Sequence, residues 1–153
     1  MPVSRPIKLT GAQMDMHASP IRDGWILQGT PIARNSLLST SADGTAKTYI
    51  WDCTAGRFNW FYDVDETVYV IDGGVVIRDS AGIRRSLKAG DAMFFPAGAR
   101  AEWHVEKYIR KIAFCRVPLP RSVLIARQSY RFFKRLTGSG RRQAAAPAMF
   151  QSS

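Results

Sequence analysis

The sequence predicts an all-β fold, an antiparallel barrel or sandwich, followed by one amphipathic helix. Across residues 46–117, short segments rich in Val, Ile, Tyr, Phe and Trp alternate with turn segments. Glycines recur in these turns every eight or nine residues, at Gly73, Gly82, Gly90 and Gly98. Glycine adopts the positive φ that tight hairpin turns require, and regular spacing of this kind is typical of barrels and sandwiches.

The N-terminal 45 residues show few periodic signals. We predict an extended arm here, with short strands around Trp25–Leu27 and Ser36–Leu38. The first residues lack the continuous apolar stretch of a secretory signal, and no segment approaches the roughly 18 apolar residues that cross a bilayer. The sequence therefore predicts a cytoplasmic protein without a membrane span.

One segment of the predicted barrel, Glu66–Ile71, carries apolar residues on both faces. Val68 and Val70 lie on one face, and Tyr69 and Ile71 lie on the other. Strands of this kind are covered on both sides. We therefore predict a central strand that is buried on both faces, within a barrel core over residues 46–117.

After residue 117 the pattern changes from strands to one amphipathic helix. We predict this helix over residues 118–137, with a start signal at Pro118 and Pro120 and a stop signal at Gly138. Its apolar stripe consists of Val123, Ala126, Tyr130 and Phe133. Its basic stripe consists of Arg127, Arg131 and Lys134. We expect the helix to pack on the barrel or on a second subunit, with an anionic membrane surface or an acidic partner as alternatives. Residues 138–153 have the composition of a flexible tail.

Length and charge limit the class of protein. The chain has 153 residues, 46% of them hydrophobic, which suits one domain with a single core. Its net charge of +10 is concentrated in residues 121–153, which hold seven of the 22 basic residues and none of the 12 acidic ones. Because a nucleic-acid-binding domain spreads basic side chains over its folded surface, the sequence argues against nucleic acid as a partner.

The two cysteines, Cys53 and Cys115, lie in separate apolar segments. They lack the close pairing of a zinc site or a redox motif. We therefore predict two reduced thiols in the core.

Two motifs resemble the paired motifs of the cupin superfamily. Gly90, Pro96 and Gly98 match the spacing of the second motif, and Glu66 and Gly73 match the end of the first. Further segments are similar to the ureidoglycine aminohydrolase and ethanolamine-utilisation (EutQ-like) branch of small cupins: residues 51–58 (WDCTAGRF), Asp65-Glu66, Gly90-Asp91, residues 95–98 (FPAG), Trp103 and Arg110-Lys111. The resemblance implies an RmlC-like double-stranded β-helix, or jelly-roll barrel, and we expect a homodimer.

The resemblance also indicates where metal-bearing cupins hold a divalent ion, with three histidines and one glutamate. In this sequence the first two histidine positions fall on Trp60 and Tyr62, or on Asn59 and Phe61 if the gap before Glu66 has four residues. The third falls on Ala101. Only Glu66 remains of the four ligands. No metal cofactor is therefore expected, although a divalent ion held by other ligands stays open.

Five residues are candidates for a functional site: Trp60, Tyr62, Glu66, Trp103 and Lys111. Glu66 and Tyr62 are the tentative catalytic pair, because both would lie on one strand face inside the barrel. Glu66 suits acid–base chemistry or hydrogen bonding to a ligand, and its alternative is an ion pair with an internal Lys or Arg. Tyr62 suits a hydrogen-bond donor or general acid, and its alternative is a core aromatic.

The remaining candidates carry alternatives of their own. Trp60 and Trp103 can stack on a flat ligand or fill the barrel, and filling is favoured. Arg100, Arg110 and Lys111 can meet an anionic substrate, although solvated charges at strand edges are the default. The only histidines, His17 and His104, are predicted to lie at the surface.

The sequence thus favours a metal-free cupin that binds a small polar or anionic metabolite inside its barrel. One alternative is an enzyme of the ureidoglycine aminohydrolase type that acts on a ureido compound. Another is a structural or regulatory module that acts through its basic C-terminal helix. Whether the protein is an enzyme is left open.

Overall fold

The computed structural model describes residues 15–120 and, after them, residues 122, 123, 125, 126, 128–130 and 134. The chain divides into two compact units after Pro118. The first contains, in chain order, β1 (His17–Ala18), a 3-10 helix (Asp23–Trp25), β2 (Ile26–Gln28), β3 (Ala33–Thr40), β4 (Ala46–Phe61), β5 (Asp65–Asp79), β6 (Arg84–Lys88), β7 (Ala92–Phe95) and β8 (Arg100–Arg116). The all-β prediction for residues 46–117 is confirmed.

The strands form one antiparallel sheet in the order β1-β3-β4-β8-β5-β6, with β2 paired to β4 and β7 paired to β5. Strand β8 pairs along most of its length with both β4 and β5. Register shifts interrupt these pairings, including one between Thr54 and Gly56 of β4 and one between Gly73 and Val76 of β5. Such bulges bend and twist long strands, which allows one sheet to enclose a core.

The prediction that residues 66–71 are buried on both faces is wrong for the part of the chain that the structure describes. Val68 and Val70 are fully buried in the barrel core, whereas Tyr69 is 43% exposed and Ile71 is 40% exposed. Successive side chains of a strand point to opposite faces, and only the inner face is covered here. The strand is nevertheless central, because β5 pairs with β8 on one side and with β6 and β7 on the other.

Three of the four predicted glycine turns connect strands as expected. Gly82, Gly90 and Gly98 have φ angles of 81°, 95° and 88° and lie between β5 and β6, β6 and β7, and β7 and β8. Gly73, with a φ of 70°, instead lies inside β5, so the hairpin predicted there is wrong. Strand β8 pairs with β5 on both sides of this residue, and the positive φ produces a bulge in a continuous strand.

The described part of the predicted N-terminal arm, from residue 15 onward, contributes strands to the sheet. Strand β2 and the longer strand β3 both pair with β4, and β3 extends beyond the segment that the sequence indicated. A buried carboxylate links these strands, because Arg34 of β3 donates two hydrogen bonds to Asp52 of β4, at 3.0 and 2.6 Å.

The described residues between 122 and 134 are helical, in agreement with the predicted C-terminal helix. Val123 and Tyr130 of its apolar stripe are exposed. Phe133, Arg127, Arg131 and the tail over residues 138–153 lie outside the described residues, so the packing of the helix and the tail stay predictions. Among the described residues, no helix is long and apolar enough to span a membrane.

Candidate functional site

A cavity of about 570 Å³ lies where the 3-10 helix, the end of β4 and the beginnings of β5 and β8 come together. Its wall includes Trp25, Trp60, Tyr62, Glu66, Arg100 and Cys115. Two backbone hydrogen bonds join the chain after β4 to the chain before β8. The Tyr62 amide donates to the Ala99 carbonyl at 3.0 Å, and the Gly98 amide donates to the Tyr62 carbonyl at 2.6 Å.

Glu66 forms an ion pair with Lys111 inside the barrel. The Lys111 ammonium lies 2.7 Å from Glu66 Oε1, and the two residues are 3% and 7% exposed. The ammonium also lies over the rings of Trp51 and Trp103, at 4.9 and 4.7 Å from their centroids. The expectation that Lys111 is a solvated strand-edge charge is therefore wrong, whereas the internal ion pair considered for Glu66 is present.

This burial follows from the strand register. Lys111 of β8 lies opposite Trp51 of β4 and Val70 of β5, both of which point into the barrel. A buried ammonium requires a countercharge and hydrogen-bond acceptors, which Glu66 supplies, and the two indole faces add cation–π attraction. Glu66 also lines the cavity, so the pair connects the barrel core to the cavity wall.

Tyr62 is both part of the core and part of the cavity wall. It is 3% exposed, its ring stacks on Phe95 with centroids 4.3 Å apart, and its hydroxyl accepts a hydrogen bond from Trp103 Nε1 at 3.1 Å. Burial, and after it the negative charge of Glu66, raises the pKa of Tyr62 well above its ordinary value. The phenol therefore stays protonated and suits a hydrogen-bond donor better than a base.

The two candidate tryptophans have different environments. Trp103 is 1% exposed and its ring stacks on Phe58 in the core, with centroids 6.2 Å apart. Trp60 is half-buried, contacts Trp25 edge to face with centroids 5.7 Å apart, and lines the cavity. Of the two candidate tryptophans, Trp60 therefore lies on the cavity wall. Trp103 lies in the core, where it contacts Tyr62 and Lys111.

Both cysteines are free, and Cys115 lines the cavity. Burial, and next the charge of Glu66, raises the pKa of Cys115 to about 11. Burial, and next the charge of Asp52, raises the pKa of Cys53 to about 12. Both groups therefore remain thiols near neutral pH, and neither is an activated nucleophile.

The residues at the cupin metal positions do not fit a divalent ion. Trp60 and Tyr62, or Asn59 and Phe61, and Ala101 offer no imidazole, and the remaining carboxylate is engaged by Lys111. Within the described part of the chain, no group of three or more His, Cys, Asp or Glu side chains is arranged to hold a metal. His17 is exposed and His104 is half-buried, and neither lines this cavity.

The sequence interpretation missed two residues of the N-terminal arm. Arg22 and Trp25 line the cavity beside Trp60. Side chains three residues apart lie together in a 3-10 helix but not in the extended chain that the sequence predicts for this arm. The sequence pattern therefore does not indicate this pair. Cys115 was predicted as a core thiol, and its position on the cavity wall depends on the pairing of β8 with β5, which places it opposite Glu66.

Comparisons with known proteins agree with this architecture. Residues 40–113 match the family model of the EutQ-like cupin domain. No protein of curated function matches the sequence.

Solved structures are similar as well. The EutQ protein of Clostridium difficile is 25% identical, with a TM-score of 0.51 over 57% of this chain and 64% of that one. A protein of unknown function from Pseudomonas syringae pv. tomato is 23% identical, with a TM-score of 0.62 over 67% of this chain and 45% of that one. An RmlC-like cupin from Shewanella frigidimarina is 13% identical, with a TM-score of 0.53 over 72% of this chain and 89% of that one.

This chain spans less than two thirds of the length of the first two proteins. The family match covers the strands that build the barrel from β4 to β8, and the RmlC-like structure shares their fold. The chain therefore has the fold of a small cupin, and its residues 40–113 match a EutQ-like cupin domain.

Proposed function

We propose that the protein binds a small polar or anionic metabolite in the cavity beside Glu66, without a metal ion. The observation that carries this proposal is the ion pair of Glu66 with Lys111, because it holds a carboxylate at the wall of a cavity of about 570 Å³. Cavities of a few hundred to about 1,000 Å³, with mainly apolar walls and few polar groups, are typical of small-molecule sites.

Each candidate residue then has a distinct part in binding. Glu66 accepts hydrogen bonds from N–H or O–H groups of the ligand, and Lys111 positions it from the barrel interior. Tyr62 offers its phenol beside Glu66, while Trp60 provides an aromatic surface for a flat group. Trp103 acts through Tyr62, since its indole nitrogen donates to the Tyr62 hydroxyl.

The proposal is tested by ligand screening on natively purified protein without an affinity tag. Thermal-shift measurements against small organic acids, amides and ureido compounds identify ligands, and titration calorimetry measures their dissociation constants. We expect Glu66→Gln to weaken binding at least tenfold, because it removes a charge-assisted acceptor. Exposed Asp72→Asn, outside the cavity, is the matched control and should bind like the wild type.

Metal content, measured by inductively coupled plasma mass spectrometry on the same preparation, is the companion test. We expect contents far below one ion per chain. Near-stoichiometric manganese, iron, nickel or zinc in the folded protein would overturn the metal-free part of the proposal.

Hydrolysis of a ureido compound, which the resemblance implies, is a separate function. The histidine ligands implied for that chemistry are missing from the aligned positions, so we propose binding in preference to turnover. A turnover assay on ureidoglycine and related ureido acids decides between them. A rate above background that Glu66→Gln abolishes would establish the hydrolase, whereas background rates in both proteins support binding alone.

We also propose that the cupin acts as a cytoplasmic homodimer. Phe94 of β7 and Phe114 of β8 lie on either side of Thr67 of β5, and both phenylalanines are about half exposed on the outer face of the sheet. An exposed apolar patch of this kind favours association with a second copy. Sedimentation velocity checks this assembly, and Phe114→Glu should shift a dimer toward the monomer.

A regulatory role of the basic C-terminal helix predicts partners instead of a cavity ligand. A chain that ends at residue 120 separates the two functions. If its barrel folds, as shown by circular dichroism, the proposed metabolite should bind with unchanged affinity. Loss of binding in a folded barrel would favour the helix as the functional element.

A further inference from the structure

Two exposed arginines on the cavity wall, Arg22 and Arg100, lie over aromatic rings. Arg22 precedes the 3-10 helix Asp23–Trp25, and the Trp25 amide donates to the Arg22 carbonyl at 2.8 Å. Residues three apart in a 3-10 turn lie on top of each other, which brings the two side chains together. The Arg22 guanidinium accordingly lies over the Trp25 ring, with Cζ 4.8 Å from the centroid.

Arg100 also lies over an aromatic ring, but strand pairing rather than a 3-10 turn places it there. It is the first residue of β8 and lies directly opposite Phe61, the last residue of β4. Cross-strand neighbours are close enough for side-chain contact. The Arg100 guanidinium lies over the Phe61 ring, with Cζ 5.1 Å from the centroid.

The two stacked pairs belong to one wall of one cavity. The Trp25 and Phe61 rings contact each other, with centroids 4.9 Å apart, and all four residues line the cavity that also contains Glu66. We call Arg22 and Arg100 the arginine clamp. The Cζ atom of each guanidinium lies over an aromatic ring, and an arginine stacked in this way keeps its N–H donors available to a ligand.

The clamp arginines differ from most arginines of the barrel in their partners, although Arg84 and Arg110 also lack an ion pair among the described residues. Arg34, Arg57, Arg78, Arg85 and Arg116 form ion pairs with acidic side chains. Over the described residues, Arg22 and Arg100 form none. Glu66 on the same wall is engaged by Lys111, and Asp63, also on the wall, is exposed.

We infer that the arginine clamp binds the carboxylate of a small organic acid whose other end donates N–H or O–H hydrogen bonds to Glu66. This inference rests on the proposed function and specifies its ligand class and orientation. Guanidinium groups bind carboxylates through paired, charge-assisted hydrogen bonds, whereas the Glu66 carboxylate repels a second anion and attracts a donor. The aromatic surfaces of Trp25 and Trp60 suit a planar segment between the two ends, such as an amide or ureido group.

The test compares N-carbamoylglycine with its neutral amide, in which the carboxylate is replaced and the ureido end is kept. A panel of hydroxy and amido acids, each with its neutral amide, extends the comparison. Titration calorimetry is carried out on wild-type protein, Arg22→Met and Arg100→Met. Arg84→Met is the matched control, because Arg84 is exposed on β6 and does not line the cavity.

We expect at least one acid to bind at least about tenfold more tightly than its amide, since a charge-assisted pair contributes more than about 1.4 kcal/mol. Arg22→Met and Arg100→Met should each remove most of that difference, and Arg84→Met should preserve it. If acids and amides bind equally and the clamp variants have no effect, the arginine clamp does not bind a carboxylate. The proposed binding of a metabolite in the cavity would then still hold. Failure of every acid and every amide to bind would overturn both.

Discussion

Glu66 and Lys111 lie 45 positions apart in the chain and meet in a buried ion pair, with 2.7 Å between Oε1 and Nζ. The pair joins β5 to β8, and the Lys111 ammonium contacts the rings of Trp51 and Trp103 as well. Burial of two charges is costly, and their attraction offsets that cost only while both partners are present. Removal of either partner therefore leaves an uncompensated charge in the barrel.

Lys111→Met should lower the free energy of unfolding by about 3–5 kcal/mol, because it leaves the Glu66 carboxylate buried without its partner. The double variant Glu66→Gln/Lys111→Met should lose less than Lys111→Met alone, since no charge remains unpaired. Urea denaturation followed by tryptophan fluorescence measures both values. The control is Arg85→Met, which breaks the exposed pair with Asp79 and should cost far less, because solvent screens exposed ion pairs. Equal losses for Lys111→Met and Arg85→Met would show that the buried pair has no special role.

Tyr62→Phe should lower the free energy of unfolding by about 1–3 kcal/mol, because the buried Trp103 indole N–H loses its acceptor. The ring stacks on Phe95 and is retained in the variant, so the change isolates the hydroxyl. The measurement is denaturant unfolding, with the chemical shift of the Trp103 indole proton as a local probe. Unchanged stability and an unchanged indole shift would contradict the hydrogen bond.

Gly73→Ala should destabilise the protein more than Gly82→Ala. Both glycines have a positive φ, and a non-glycine residue there costs about 1–3 kcal/mol. A Cβ at Gly73 would in addition collide with the backbone carbonyl oxygen of Tyr108, whereas a Cβ at Gly82 meets open space. Thermal unfolding of the two variants compares them directly. Equal melting temperatures would mean that β5 and β8 separate at the bulge without cost.

Alkylation of Cys115 by iodoacetamide should be slow at pH 8 and should increase about tenfold per pH unit up to pH 10. Burial and the negative charge of Glu66 disfavour the thiolate and raise the pKa of Cys115 to about 11, so the reactive form accumulates only as the pH rises toward that value. Peptide mass spectrometry measures the rate, with the fully buried Cys53 in the same digest as the slower reference.

The same measurement tests two further points at the cavity wall. Glu66→Gln should accelerate Cys115 alkylation at pH 9, because the charge that disfavours the thiolate is removed. A bound cavity ligand should protect Cys115. A rate that is already constant below pH 9 would contradict the raised pKa.

Much of the candidate site was visible in the sequence, but its internal arrangement was not. The cupin spacing identified Glu66, and the alternation of apolar residues identified Trp103 as an inward residue. Trp60 is harder to place by alternation, because the register shift between Thr54 and Gly56 breaks the phase between the two halves of β4. Sequence patterns assume an uninterrupted strand, and a bulge changes which residues share a face.

The strand-and-turn pattern, the three glycine turns after β5 and the central position of β5 follow from the sequence alone. The absence of histidine at the metal positions follows from the sequence once the cupin motifs are aligned. These are local properties, because side-chain alternation, glycine at positive φ and residue identity depend on neighbouring positions. The burial of Lys111 against Glu66, the exposure of Tyr69 and Ile71, and the positions of Arg22 and Trp25 at the cavity depend on how the strands pair. The physical reason is that the environment of a side chain is set by the strands that pair around it, which come from distant parts of the chain.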